Sequence, residues 1–260
     1  MINHLSKPNK LLLVLTGLFI ASIIVAELIG VKLFSLEDSL GIPKFSFSLL
    51  GQNDLSLVLS VGVLPWPIIF ILTDVINDYY GFKTVKFISV TSVFIITISF
   101  LIISLAIQVS PDTGWWQTSK ADMGISNMNT AFLAIFDQGR NIILASVVAF
   151  LVGQLVDALI FRQIKKITKD KYIGLRATVS TLVSQLIDSL LVTLIAFYLL
   201  ADMSFQMALA LALTAYIYKF TVAVLSTPIL YGVHFIIKKY LGHDVAQNMR
   251  MQAINHEISS

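Results

Sequence analysis

The chain has 260 residues, of which 57% are hydrophobic and 13% charged, and its mean hydropathy is +0.84. A soluble domain carries roughly a quarter charged residues, so this composition excludes an ordinary water-soluble globule. The absence of cysteine excludes disulfides, thiol catalysis and thiolate metal sites, and four scattered histidines make no metal cluster. The net charge of +3 does not indicate nucleic acid, because the basic residues sit where membrane topology needs them.

Apolar runs long enough to cross ~30 Å of hydrocarbon recur along the whole chain. They predict an all-α polytopic membrane protein with six transmembrane helices, at about 11–33, 57–73, 85–109, 140–162, 178–200 and 208–238. Residues 1–10 then form an N-terminal segment, 11–240 the membrane domain and 241–260 a C-terminal tail. The first run follows Lys7 and Lys10 as a signal peptide would, but its length and lack of a small-residue cleavage pattern favour a retained helix. Residues 34–56 contain the alternation Lys44-Phe45-Ser46-Phe47-Ser48 before a Gly51-Gln52-Asn53-Asp54 turn, which fits a small extracellular hairpin. In the 110–139 loop, Trp115-Trp116 suits the headgroup level. Lys and Arg sort unequally between the two sides. One receives Lys7, Lys10, Lys83, Lys86, Arg162, Lys165, Lys166, Lys169, Lys171, Arg176, Lys238, Lys239 and Arg250; the other receives Lys32, Lys44, Lys120 and Arg140. That bias places both termini in the cytoplasm, with residues 162–178 read as a solvated basic face that sets orientation.

Within these apolar stretches one polar phrase occurs twice, Val-Gly-Gln-Leu-Val-Asp at 152–157 and Val-Ser-Gln-Leu-Ile-Asp at 183–188. Each Gln shares a helix face with the Asp three residues on. A carboxylate at bilayer depth costs about 2.5–3.5 kcal/mol on insertion scales, so Gln154, Asp157, Gln185 and Asp188 point to an intramembrane site for a polar molecule. In an antiparallel hairpin Gln154 lies roughly level with Gln185, and Lys219 on the last helix reaches a height similar to Asp188, its natural partner. Pro65-Trp66-Pro67 is placed mid-span, where two prolines unwind the helix and Trp66 offers a stacking face. Asp74, Asn77 and Asp78 share a face near the end of that helix, and Asp74 and Asn77 join Trp66, Lys219 and the two Gln-x-x-Asp pairs as candidate substrate-binding residues. Glu27 and Lys32 lie toward the outer end of the first span, and with Asp78, Arg140 and Arg176 are candidates for a gate or ion pairs. Plainer readings stand beside these. Gln and Asp often glue helices together, Asp74 and Asp78 suit a solvated helix end, Lys32 and Arg140 suit snorkelling anchors, and Pro228 suits a kink.

The phrases Phe70-Ile71-Leu72-Thr73-Asp74-Val75-Ile76-Asn77-Asp78-Tyr79-Tyr80-Gly81, Leu144-Ala145-Ser146, Val152-Gly153-Gln154-Leu155-Val156-Asp157, Leu175-Arg176 with Ser180 to Ser189, and Thr227-Pro228-Ile229-Leu230-Tyr231 resemble the queuosine-precursor transporters of the vitamin uptake transporter group. The likeness runs from about residue 20 to 240, and two positions depart from it: Asp78 stands where Glu is expected, and Glu27 where many relatives carry Asn. The resemblance implies a six-helix inner-membrane importer of 7-cyano-7-deazaguanine and 7-aminomethyl-7-deazaguanine, broadly like the substrate-binding subunits of energy-coupling-factor vitamin transporters. It implies no enzyme activity and no cofactor. The expected partners are the deazapurine, the lipid bilayer and, as an open option, a second copy in a homodimer.

The chemistry of such a solute suits the residues. Two adjacent N–H donors fit one carboxylate, assigned to Asp188 or Asp157, with Gln154 and Gln185 bracketing the rest and Trp66 stacking. The chain has no phosphate-binding glycine loop, so it does not hydrolyse ATP itself; proton coupling and facilitated diffusion both fit. Two other classes are open. One is a substrate-binding subunit for a separate ATPase, docking through Ala26 and Gly30. The other, less favoured, is an intramembrane aspartyl protease, for which the usual Gly-x-Gly-Asp phrase is absent.

Overall fold

The computed structural model describes residues 5–43, 46–55, 58–116, 118–137, 140–168 and 172–258, with backbone only at 54, 116, 140–144 and 254–258. Ten α-helices run through the described residues. The long ones are α1 (Lys7–Ile29), α3 (Trp66–Tyr80), α4 (Phe82–Gln108), α7 (Arg140–Ile167), α8 (Ile173–Thr193) and α9 (Phe205–Leu241). Short α2 (Leu36–Leu40), α5 (Thr113–Trp116) and α6 (Met128–Phe136) lie in the connections, and α10 (His243–Ile258) follows α9. Six helical segments are long and apolar enough to cross a membrane, which makes the molecule a six-helix membrane protein.

The burial pattern inverts that of a soluble protein. On α4, Phe87, Phe94, Leu101, Ile102 and Leu105 are exposed, as a surface facing acyl chains should be. Meanwhile Asp78, Arg176, Ser89, Ser92 and Ser180 have no exposed surface. An apolar cluster built from Phe19, Ile23, Ile69, Val75, Tyr79, Phe150 and Phe161 ties α1, α3 and α7 together around this polar interior.

The second span differs from the expected 57–73. Val58–Ser60 is a strand, β4, paired with β1 (Leu33–Ser35), and a 3₁₀ turn at Val61–Val63 leads into α3. Pro65 caps α3 and Pro67 sits in its first turn, so the Pro-Trp-Pro phrase starts a helix and does not interrupt one. The reason is local: the first turn has no intrahelical acceptor for its N–H groups, so proline costs nothing there. The expected hairpin is present as β2 (Phe47–Leu49) and β3 (Gln52–Leu55), with Lys44 and Phe45 outside the described residues. Ala26 and Gly30, expected as a docking face, instead pack against Gly62, and Ser60 Oγ donates to the Gly30 carbonyl at 2.6 Å.

Gly81, at φ 82°, turns the chain directly from α3 into α4. At this end Tyr80 donates to the Pro8 carbonyl (2.7 Å), Lys7 to the Tyr240 carbonyl (3.1 Å), and Lys165 to the Asp78 carbonyl (2.7 Å). The start of α1, the α3–α4 and α7–α8 turns and the end of α9 therefore gather at one pole, hereafter the basic pole. The 241–260 tail is largely the helix α10, which packs on α3 and α9 there.

Candidate functional site

The helices α7 and α8 form the most extensively packed pair, and their contact surface carries the repeated phrase. The antiparallel register sets Gly153 opposite Asp188 and Asp157 opposite Ser184. A Cβ on Gly153 would lie 3.3 Å from that of Asp188, and Ser184 Oγ donates to Asp157 Oδ1 at 3.0 Å. Each copy's acid thus packs against the other copy's small residue. Gln154 and Gln185 are then offset in height by roughly 3 Å, two residues of rise. All four side chains of the phrase are buried, 2–4% exposed.

The two acids meet different chemistry. Hydroxyls of Ser184, Ser180 and Thr181 surround the Asp157 carboxylate. Asp188 faces a glycine and takes its partner from α9: Lys219 Nζ contacts Asp188 Oδ2, as their heights predict. That ammonium also lies over the Trp66 ring, 5.2 Å from its centroid, a cation–π contact. Trp66 packs against Phe70 and Phe150, with centroids 5.5 and 6.4 Å away. Glu27 joins this upper tier by accepting from Ser146 Oγ at 2.6 Å, within electrostatic reach of Asp188. Lys32 is exposed and stands apart from the tier. Arg140 has its side chain outside the described residues.

Below lie the α3 residues. Thr73 Oγ1 donates to Gln154 Oε1 at 3.0 Å, and Asn77 Nδ2 to the Ala158 carbonyl at 3.0 Å. Asp74 and Asp78 are 3% and 0% exposed, which corrects the reading of them as a solvated helix end. Asp78 is the hub of an ion cluster, with Lys165 Nζ at 3.0 Å, Arg176 at 3.2 Å and Arg250 Nε at 2.7 Å. His234 Nδ1 stands 3.9 Å from the same carboxylate and 3.1 Å from Tyr79 Oη. Lys165 and Arg176 belong to the 162–178 stretch expected to be a solvated basic face, and Arg176 is also one of the ion-pair candidates; both are buried, because a carboxylate in the bundle needs cations beside it.

A narrow cleft opens between α3, α8 and α9, lined by Asp74, Thr178, Thr181, Ser226 and Thr227, with Phe70 and Leu230 as apolar walls. It holds about one water molecule. Counted from Tyr80, Asp74 lies about 9 Å above the basic pole, nearer to it than the Lys219–Asp188 pair. Asp74 Oδ1 and Gln185 Oε1 are buried with no hydrogen-bond partner.

Sequence reasoning missed the hydroxyls and the tail. On α8 the polar stripe is Thr181, Ser184, Gln185, Asp188, at helical spacing, so Thr181 and Ser184 were legible as neighbours of the acids. Arg250 carried no local signal, since only tertiary folding brings α10 to Asp78. Among the described residues no cluster of acids and histidines suits a metal ion.

A bundle of six apolar helices wrapped around acids, carboxamides and hydroxyls is the build of a polytopic membrane protein that handles polar solutes. The model of a family described as putative vitamin uptake transporters matches residues 60–233, more than half of the chain, and the chain belongs to that family. No curated protein and no solved structure gives a significant match.

Proposed function

We propose that this transporter imports 7-deazaguanine bases, 7-cyano-7-deazaguanine and its 7-aminomethyl relative, across the inner membrane as precursors of queuosine. The observation that carries the reading is a buried interior rich in groups matched to a guanine-like edge, two of them without partners, Asp74 Oδ1 and Gln185 Oε1. A base with adjacent N–H donors and a carbonyl satisfies carboxylate and carboxamide groups together, and analogues lacking those groups leave the protein's own atoms unpaired. Trp66, Phe70 and Phe150 supply aromatic surface against which a planar ring stacks.

The transport cycle follows from the cleft's size. A space for one water admits no base, so solute enters only when α3, α8 and α9 part. The Asp188–Lys219 and Asp78 clusters hold the helices together above and below in the meantime. The family assignment fits a transporter and favours no enzyme reaction. The reading as a subunit awaiting an ATPase loses its proposed docking stripe, because Ala26 and Gly30 are covered by the 60–62 turn.

The test is uptake of labelled 7-cyano-7-deazaguanine by the purified chain in liposomes. Saturable uptake, competed by the aminomethyl base and by neither adenine nor riboflavin, is expected. Binding without uptake would return the ATPase-coupled reading, and neither binding nor uptake of any deazapurine would refute the assignment.

A further inference from the structure

The acids of the interior are not equivalent in what they have left to offer. Asp188 is held by Lys219, Asp157 is surrounded by hydroxyl donors, and Asp78 is ringed by cations. Among the described residues Asp74 forms no ion pair and its Oδ1 has no hydrogen-bond partner, although the residue is 97% buried. A buried polar atom without a partner is rare and costly, and one that lines a cleft marks where a ligand's donors belong. The nearest charged groups are Asp157 and Asp78, like in sign, and Arg176, which is already engaged with Asp78.

We propose that Asp74, and neither Asp188 nor Asp157, is the carboxylate that receives the paired N–H donors of the solute, and that the cleft between α3, α8 and α9 is the seat of that edge. This rests on the deazaguanine reading and narrows it. The cleft has the right composition for a flat heterocycle with a polar rim. Phe70 and Leu230 provide apolar walls, while Thr181, Ser226 and Thr227 line the remainder. The ligand class is a planar base carrying two adjacent N–H donors, as in a 2-aminopyrimidinone.

The cleft also has a means of widening. Its α9 wall contains Pro228, inside the helix, which has no N–H to give the Val224 carbonyl. A helix lacking that bond bends there most easily. Toward the basic pole the two outer helices are fastened across the cleft by weak polar contacts. Thr178 and Thr227 hydroxyls lie 3.0 Å apart, and the Gly174 N–H donates to Tyr231 Oη at 3.1 Å. Breaking these costs little beside breaking an ion pair.

The experiment is direct binding to the purified, full-length protein in detergent, with 7-cyano-7-deazaguanine and with the same base lacking its 2-amino group. Wild type is expected to bind the analogue about tenfold or more weakly, because one carboxylate bond is lost. In Asp74→Asn the parent base weakens to about the analogue's affinity and the preference disappears, whereas Asp157→Asn keeps the preference. Equal binding of the two bases by wild type overturns the proposal, and needs no variant to fold. So does a full preference persisting in Asp74→Asn. If wild type binds neither base, the deazaguanine reading itself has failed and this assignment falls with it.

Discussion

Lys219 makes Asp188 tolerable at its depth, and the pair shows how each acid in this interior is provided for. Replacing Lys219 by Met leaves a buried carboxylate without its cation, and the loss is expected to be about 3–5 kcal/mol. Thermal unfolding in detergent measures it, and Lys219→Met combined with Asp188→Leu should recover most of the loss, since no charge is then stranded. At Asp157 the corresponding change is Ser184→Ala. It removes one hydroxyl donor of the surrounding group, and the expected cost is about 1.5–3 kcal/mol by the same measurement. The repeated Gln-x-x-Asp phrase and the Asp188–Lys219 contact were legible from spacing and helix rise. What was not legible is why the two acids differ. That depends on the register across the α7–α8 hairpin, which presents Gly153 to one and Ser184 to the other. A single residue of slippage would move both acids off these neighbours, and no local pattern encodes the register.

Among the elements, prolines separate start from hinge. Pro65 and Pro67 lie at the beginning of α3, where their missing donors are harmless, so Pro67→Ala should change stability and uptake little. Pro228 lies inside α9 and leaves one carbonyl of that helix unbonded. Pro228→Ala restores the bond and is expected to raise the unfolding temperature while slowing uptake, by making the cleft wall stiffer. Stability and transport rising together would show that Pro228 is not a hinge. Five of the six spans were readable from apolar length alone. The second was displaced because hydropathy favoured 57–73, while the helix runs on through Asp74, Asn77 and Asp78 to Tyr80. Those residues look like a helix end until the cations of Asp78, contributed by α7, α8 and α10, are in place.

Across the whole molecule, the basic pole is closed by the last helix. Arg250 reaches from α10 to Asp78 at 2.7 Å, and Ala246 and Ala253 are buried where α10 lies on the bundle. Asp78 therefore joins α3 to α7, α8 and α10 through one carboxylate, so α10 cannot leave without uncovering part of that charge cluster. Substituting Arg250 by Ala removes the polar tie while leaving the small apolar contacts, which should loosen α10 without unfolding the bundle. The chain has no cysteine, so a single Thr181→Cys in the cleft gives an unambiguous probe of access. In the otherwise native protein a membrane-impermeant thiol reagent is expected to label it slowly, because position 181 is buried in a narrow cleft and α10 packs on α3 and α9 at the pole. Adding Arg250→Ala should speed labelling from the side bearing the termini about tenfold or more, since releasing one charged tie shifts the open population by at least that factor. Labelling should remain slow from the opposite side, where the Lys219–Asp188 tier still holds. Unchanged labelling from the terminal side would mean that α10 is packing alone and that closure at this pole resides in α8 and α9.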